Sequence, residues 1–142
     1  LAKSGKRPKY GNKKKVVNGM EFDSTREARR YQDLALMQQA GQISELRRQV
    51  PYPVLVNSKE ICVWLADFVY SERTTRFPGG IETPCWITIV EDSKGFKTEI
   101  YRLKKKLVEV IYGFKIRETY PHRILPAARQ IASEIAILAN PR

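Results

Sequence analysis

Residues 61–70 read ICVWLADFVY, and every residue of this run except Asp67 is apolar or aromatic. An apolar run of this length, rich in β-branched and aromatic side chains, predicts a β-strand that is covered on both faces. Residues Trp86–Val90 predict a second buried strand of the same kind. The two strands together predict a fold built around a β-sheet.

The chain before the first buried strand predicts a small hairpin followed by a helix. Asn18-Gly19 suits a type I′ turn between two short strands, Lys15–Val17 and Met20–Phe22. Ser24 precedes Glu27 by three residues, which is the spacing of a helix capping box. The helix that starts there is predicted to end at the glycine of position 41.

Two further segments surround the buried strand. Ile43–Val56 has an extended pattern, and Pro51 and Pro53 make it either an edge strand or partly irregular, because proline cannot donate a backbone hydrogen bond. Ser71–Thr83 is predicted to be a polar loop with its tip at Pro78-Gly79-Gly80.

The last third of the chain predicts two helices and a short strand. One helix, ended by Gly113, carries its core-facing apolar stripe on Ile100, Leu103, Leu107 and Val110 or Ile111. Phe114, Ile116 and Glu118 then alternate like a strand, and Leu125–Ala139 forms an Ala- and Ile-rich helix. The predicted class is α/β, a single mixed β-sheet flanked by helices.

The composition indicates a polyanionic partner. The 142 residues include 26 Lys and Arg against 15 Asp and Glu, which gives a formal net charge of +11. Seven of these cations and no acid fall in residues 1–15, so we expect a basic arm there and one domain over residues 16–142. No apolar run approaches the roughly 18 residues that a transmembrane helix needs, so no membrane partner is expected.

Cysteine and histidine are too few for several chemistries. Cys62 and Cys85 have apolar neighbours and are interpreted as two buried thiols in a reducing cytoplasm, with a disulfide as the less favoured alternative. His122 is the only histidine, so a four-ligand zinc site, a Ser-His-Asp triad and a Cys-His pair are not expected. Catalysis would have to come from carboxylates, lysines and a hard metal ion.

Three acidic positions are candidates for that chemistry. Asp67 interrupts a buried strand, where a carboxylate is either a functional group or the partner of an Arg or Lys. Asp92 and Lys94 share one face at the end of the second strand, although a simple hairpin turn would also suit this segment. A helix follows in place of the second hairpin strand, which favours a site. Glu27 is fully explained by its capping box when it is taken alone.

The order of Glu27 in a first helix, Asp67 in a buried strand, and Asp92-Ser93-Lys94 before another helix resembles the PD-(D/E)XK nuclease superfamily. The likeness covers roughly residues 9–118 and extends to small phage-encoded members, including Holliday junction resolvase-like ones. It is carried by KYGNKK (9–14), FDS (22–24), ADFVY (66–70), VEDSKGFKT (90–98) and YRLKKK (101–106). Glu91 stands beside Asp92, and the spacing to Lys94 favours Asp92 as the catalytic acid.

The resemblance implies a restriction-endonuclease-like core and a set of site residues. Mg²⁺, or Mn²⁺ in its place, would be held by Asp67, Asp92, the Ser93 carbonyl and Glu27, because Mg²⁺ prefers oxygen ligands. Lys94 would hold the attacking water and offset the charge that grows on the phosphate. DNA contacts are expected at Lys9, Lys13, Lys14, Lys15, Lys97, Tyr101, Arg102 and Lys105.

The expected activity is that of a Mg²⁺-dependent endodeoxyribonuclease that is selective for branched or junction DNA. The expected partners are DNA and a second copy of the chain, without an organic cofactor, in the cytoplasm (of a bacterial host if the chain is phage-encoded). Two alternatives are a non-catalytic nucleic-acid-binding protein with a nuclease-like fold and a DNA-end-processing subunit that needs a partner protein.

Overall fold

The computed structural model describes residues 14–17, 19–93 and 97–119. Most of the predicted basic arm, Lys94 and the predicted helix Leu125–Ala139 lie outside these residues. The elements in chain order are β1 (Lys15–Val17), β2 (Met20–Phe22), α1 (Thr25–Gln39), β3 (Ile43–Val56), β4 (Lys59–Arg76), a 3₁₀ turn (Pro78–Gly80), β5 (Thr83–Asp92), α2 (Glu99–Tyr112) and β6 (Ile116–Glu118).

The main sheet has four strands in the order β3-β4-β5-β6. The first two pairings are antiparallel, and β6 pairs with β5 in parallel. A parallel neighbour requires a crossover connection, and α2 provides it. The strands β1 and β2 form a separate two-stranded sheet. The predicted fold class is therefore confirmed: a mixed sheet flanked by helices. Neither described helix is long and apolar enough to cross a membrane.

The apolar core consists of two clusters, and each contains residues from one helix. Leu34 and Met37 of α1 pack with Ile43, Phe68 and Tyr70. The other cluster joins α2 to the sheet through Val54, Trp64, Ala66, Val69, Val90, Tyr101, Val108 and Ile116. Because neighbouring residues of a strand point to opposite faces, Val69 and its neighbours Phe68 and Tyr70 place the two helices on opposite sides of β4.

The helix ends follow the sequence signals. Ser24 is the N-cap of α1, and its hydroxyl accepts a hydrogen bond from the Glu27 backbone N–H at 3.2 Å. Thr98 caps α2 in the same way, accepting from the Tyr101 N–H at 3.1 Å. Gly113 ends α2 in the left-handed conformation at φ 71°, which a glycine adopts without a steric cost.

The predicted polar loop at Ser71–Thr83 is wrong. The strand β4 continues to Arg76, and this end pairs with β5 in a regular register that reaches Thr83. Only residues 77–82 connect the two strands, with the 3₁₀ turn at their centre. Thr74 and Thr75 are polar but have a high propensity for β-strands, so they suit a two-stranded ribbon that faces water. Polarity alone therefore does not distinguish this ribbon from a loop.

The prediction that both apolar strands are covered on both faces is also wrong. In β4, Ile61, Val63 and Leu65 are exposed, because the apolar cluster of α1 contacts the strand only further along, at Phe68 and Tyr70. In β5, Trp86 is exposed and continuous burial begins at residue 90. The two thiols, Cys62 and Cys85, are half-buried and free rather than buried.

The predicted core-facing stripe of α2 is wrong except at Leu107, which packs partly against the sheet. Tyr101 and Val108 face the sheet, while the predicted residues Ile100, Leu103, Val110 and Ile111 are exposed. Each inward residue is one position beyond a predicted one, and one position corresponds to a rotation of about 100°. Tyr101 explains the rotation, since its ring packs on Trp64 with the centroids 5.1 Å apart.

Candidate active site

The strands β4 and β5 part at Asp67 and Asp92. Their register ends with the pair Phe68 and Glu91, so the two aspartates are the first residues beyond the ladder. At this point Asp67 Oδ2 accepts a hydrogen bond from the Ser93 backbone N–H at 2.7 Å. A side-chain carboxylate thus bridges the two strands where the backbone ladder stops.

The pleat of β4 also changes at Asp67. Trp64 and Ala66 pack in the α2 cluster, whereas Phe68, two residues further on, packs in the α1 cluster. Strict alternation would have kept Ala66 and Phe68 on the same face. Opposite this position in β3, Gln49 adopts a positive φ of 50°. The irregularity in both strands places Asp67 where the sheet is locally opened.

Both aspartates are withdrawn from water, with Asp67 4% and Asp92 0% exposed. Burying a carboxylate is costly unless polar groups surround it. For Asp67 the Ser93 amide is one such group. Two buried carboxylates at one strand junction lower the stability of the fold, and such groups are concentrated at functional sites. This junction is therefore the candidate active site.

Tyr101 stands between Asp92 and Glu118. Its hydroxyl donates to Glu118 Oε1 at 3.0 Å, and it also interacts with the carboxylate of Asp92. Burial raises the pKa of Tyr101, and the charges of Asp92 and Glu118 raise it further. The hydroxyl therefore keeps its single proton, which it can donate to one of the two carboxylates at a time.

Several residues that were predicted to contact DNA surround the carboxylate of Glu118. Lys97 binds its carboxylate, and Lys105 lies 3.1 Å from it. Burial opposes ionisation of Glu118, but the hydrogen bonds from Lys97, Lys105 and Tyr101 outweigh it and lower its pKa to about 2. The DNA contacts expected at Lys97, Tyr101 and Lys105 remain predictions, with the three side chains placed around an acid.

The other predicted DNA contacts are distributed differently. Arg102 is exposed on α2, and Lys15 is exposed in β1. Lys14 is exposed and forms an ion pair with Glu21. Lys9 and Lys13 lie outside the described residues.

The low pKa of Glu118 predicts a specific loss of stability in acid. A carboxyl whose folded pKa lies below its ordinary 4.5 stabilises the fold fully above pH 4.5, and this contribution disappears as the pH falls toward about 2. We expect the difference in unfolding free energy between wild type and Glu118→Gln to shrink over this window in urea titrations. The exposed residue Glu82 supplies the control Glu82→Gln, and an equal pH dependence in both variants would contradict the prediction.

Glu91 does not belong to the candidate active site. Arg30 of α1 binds it through two hydrogen bonds, Nε–Oε1 at 2.6 Å and Nη2–Oε2 at 2.8 Å. Tyr70 donates to it at 2.7 Å and Thr119 at 3.2 Å. Glu91 is thus engaged on the α1 side, and the preference for Asp92 as the catalytic acid stays a prediction.

The buried acid is part of a network that connects α1 to three strands. Arg117 of β6 donates to the Tyr70 hydroxyl at 3.2 Å and binds Glu72 through two hydrogen bonds of 2.9 and 2.8 Å. Burial, followed by the charge of Glu91, raises the pKa of Tyr70, so its hydroxyl stays a donor. Sequence reasoning missed this network. Arg30, four residues before Leu34 and hence on the same side of α1, was the available signal.

Glu27 is buried in the first turn of α1, one turn before Arg30. Its backbone N–H donates to the Ser24 hydroxyl oxygen at 3.2 Å, and its Oε1 accepts the Ser24 hydroxyl at 3.4 Å. The N-cap of the predicted capping box is therefore confirmed. The metal role that the resemblance implies for Glu27 stays a prediction.

The donors at the strand junction are of the type that a hard divalent cation takes. Asp67, Asp92 and the Ser93 carbonyl offer oxygen ligands, and all three lie just beyond the last residues at which β4 pairs with β5. Among residues 14–17, 19–93 and 97–119, no three acidic, His or Cys side chains stand at a spacing that would hold an ion. The structure thus brings two of the predicted carboxylates to one junction and leaves Glu27 outside a three-acid cluster, while Lys94 lies in the undescribed segment 94–96.

Residues 7–77 match the family described as "Protein of unknown function (DUF1064)", and this match covers half of the chain. The chain belongs to this family. The DUF1064 match contains Glu27, Arg30 and Asp67 and ends just after β4, so Glu91 and Asp92 of β5 lie beyond it. No curated protein and no solved structure matches the chain.

Proposed function

We propose that the chain is a Mg²⁺-dependent endonuclease that hydrolyses phosphodiester bonds of DNA. The observation that carries the proposal is the junction where β4 and β5 part, which holds the buried carboxylates of Asp67 and Asp92, with Asp67 accepting the Ser93 backbone N–H. The resemblance to the PD-(D/E)XK superfamily supports it, since the same residues carry that likeness. The expected substrate is branched or junction DNA.

The residues at the junction would divide the work of hydrolysis. Asp67, Asp92 and the Ser93 carbonyl would hold Mg²⁺ or Mn²⁺, which would supply positive charge to the phosphate and acidify a bound water. The Tyr101 hydroxyl would keep the Asp92 carboxylate in place, because it remains protonated between two acids. Lys94 would orient the attacking water.

The net charge of +11 supports DNA as the substrate. Basic residues of the arm, together with exposed Arg102, would contact phosphates, and such binding is sensitive to salt and largely independent of base sequence. Lys97 and Lys105 would contribute only by sharing their charge between Glu118 and a phosphate.

The direct test is cleavage of supercoiled plasmid, linear duplex and a four-way junction, each with Mg²⁺ and with EDTA. The proposal expects Mg²⁺-dependent cleavage, with the junction preferred. Binding without cleavage of any of the three would favour a non-catalytic nucleic-acid-binding protein. Cleavage only after addition of host extract would favour a DNA-end-processing subunit that needs a partner.

Cutting two strands requires two active sites, and one 142-residue chain provides one. We therefore propose that the enzyme acts as a homodimer, and that it works in the cytoplasm, where its DNA substrate and reduced thiols would be found. The apolar surface in the sequence Leu125–Ala139 is wider than the one stripe that packs within the same chain needs, and the excess supports an isologous contact between two copies.

The variant Glu27→Gln separates the two roles of Glu27. Gln retains the size and the acceptor oxygen of the capping box but loses the charge. We expect unchanged thermal stability and a decrease of Mg²⁺-dependent cleavage by about 10- to 100-fold, the range for residues that support a metal site. Ser24→Ala is the matched control, since it removes the cap, costs about 1 kcal/mol and should leave cleavage intact. Normal cleavage by Glu27→Gln would make Glu27 purely structural.

A further inference from the structure

The exposed side of α2 carries a continuous apolar stripe. Ile100 is 68%, Leu103 59% and Val110 82% exposed, and Ile111 is exposed beside them. Leu107, between them on the same side, is half-buried. These five residues, which we call the α2 stripe, recur at helical spacing along the whole helix. A contiguous exposed apolar surface of this kind marks a place where another segment packs.

The described chain leaves the fold beside the first turn of α2. Glu118, the last residue of β6, accepts the Tyr101 hydroxyl at 3.0 Å. The next residue, Thr119, is held by its N–H on the Asp92 carbonyl at 3.1 Å. Residues 120–142 therefore start within reach of the Ile100 end of the α2 stripe.

The sequence of residues 120–142 suits this surface in length and pattern. Ile131, Ile135 and Leu138 recur at helical spacing, with alanines on neighbouring positions. A helix over Leu125–Ala139 would be about 22 Å long, and the 14 residues of α2 span about 21 Å. The five residues before Leu125 span about 17 Å when extended. This length is enough to connect Thr119 to a helix that packs along the α2 stripe.

We infer that the α2 stripe is the docking surface for residues 120–142 of the same chain. The segment packs its own apolar stripe against Leu103, Leu107 and Val110, as in an antiparallel or parallel helix pair. This assigns a reason to the pattern of α2: Tyr101 and Val108 bind the sheet, Leu107 at the border packs partly against the same cluster, and the exposed residues of the stripe bind the chain terminus.

The test is hydrogen exchange of the full chain, followed by mass spectrometry of peptides within residues 125–139. We expect these amides to be protected in the wild type. Leu103→Glu and Val110→Glu should each lower the protection at least about tenfold, because an acid on the stripe opposes apolar packing. Arg102→Glu, on the opposite side of α2, should leave it unchanged. Peptides from α1 report whether the rest of the fold is intact.

Several outcomes would overturn the inference. Exchange of residues 125–139 at the rate of an unfolded peptide in the wild type would do so, as would protection that survives both stripe variants. Protection that is lost on dilution to a mass of one chain would place the segment on a second copy instead. Val110 is exposed in the described fold, so Val110→Glu is not expected to unfold the protein. This variant therefore tests the docking even if Leu103→Glu unfolds.

Discussion

Glu91→Gln is expected to lower the free energy of unfolding by about 3–5 kcal/mol, the effect of breaking a buried ion pair by removing one partner. Glu91 is 0% exposed and accepts two hydrogen bonds from Arg30. The amide keeps the size of the side chain but leaves the Arg30 guanidinium buried with a neutral neighbour. Urea titration followed by circular dichroism measures the change as a shift of the midpoint at constant slope.

A double-mutant cycle with Arg30→Gln tests whether the two residues act as a pair. The variant that carries both changes should lose less stability than the sum of the two single losses, since neither charge is then left alone. Glu60→Gln, at an exposed position of β4, is the matched control and should change stability by no more than about 0.5 kcal/mol. A loss below about 1 kcal/mol for Glu91→Gln would contradict the role assigned to the pair.

The largest expected effect on activity comes from the strand junction. Asp92→Asn and Asp67→Asn should each reduce Mg²⁺-dependent cleavage by more than about a hundredfold, because even the outer partners of metal ligands contribute 10- to 100-fold. DNA binding should survive, since the phosphate contacts lie elsewhere. In Asp67→Asn the amide oxygen can still accept the Ser93 N–H, so the fold is expected to persist.

Gel-based cleavage and a filter-binding assay, run side by side on the same preparations, separate catalysis from binding. Asp23→Asn, an exposed aspartate ahead of α1, is the control for removal of one negative charge and should cleave normally. Cleavage within a few-fold of wild type by Asp92→Asn would refute the assignment of the junction as an active site.

The sequence predicted the elements whose signals are local. The capping residue Ser24 and the terminating Gly113 each act through neighbouring backbone groups, and α1 begins and α2 ends there. The extended run Ile43–Val56 with its two prolines is the edge strand β3, as predicted. Local chemistry is readable because its partners are only a few residues away.

The errors arose where tertiary contacts decide. Burial of Ile61 or Trp86 depends on which layer covers that part of the sheet, and apolar character alone does not report it. The rotation of α2 depends on Tyr101, whose polar tip needs Glu118 and whose ring needs Trp64. The ion pair of Glu91, which sequence reasoning missed, likewise depends on Arg30, which is remote in sequence.

The distance of 61 residues between Arg30 and Glu91 bears on how the chain acquires its structure during synthesis. When β4 has been made, α1 and the β3–β4 hairpin exist, but the carboxylate that compensates Arg30 does not. The guanidinium must stay hydrated until β5 emerges, so the α1 side of the sheet closes late and long-range contacts govern the rate. Residues 7–77, which match the family, end before the strand that supplies both Glu91 and Asp92.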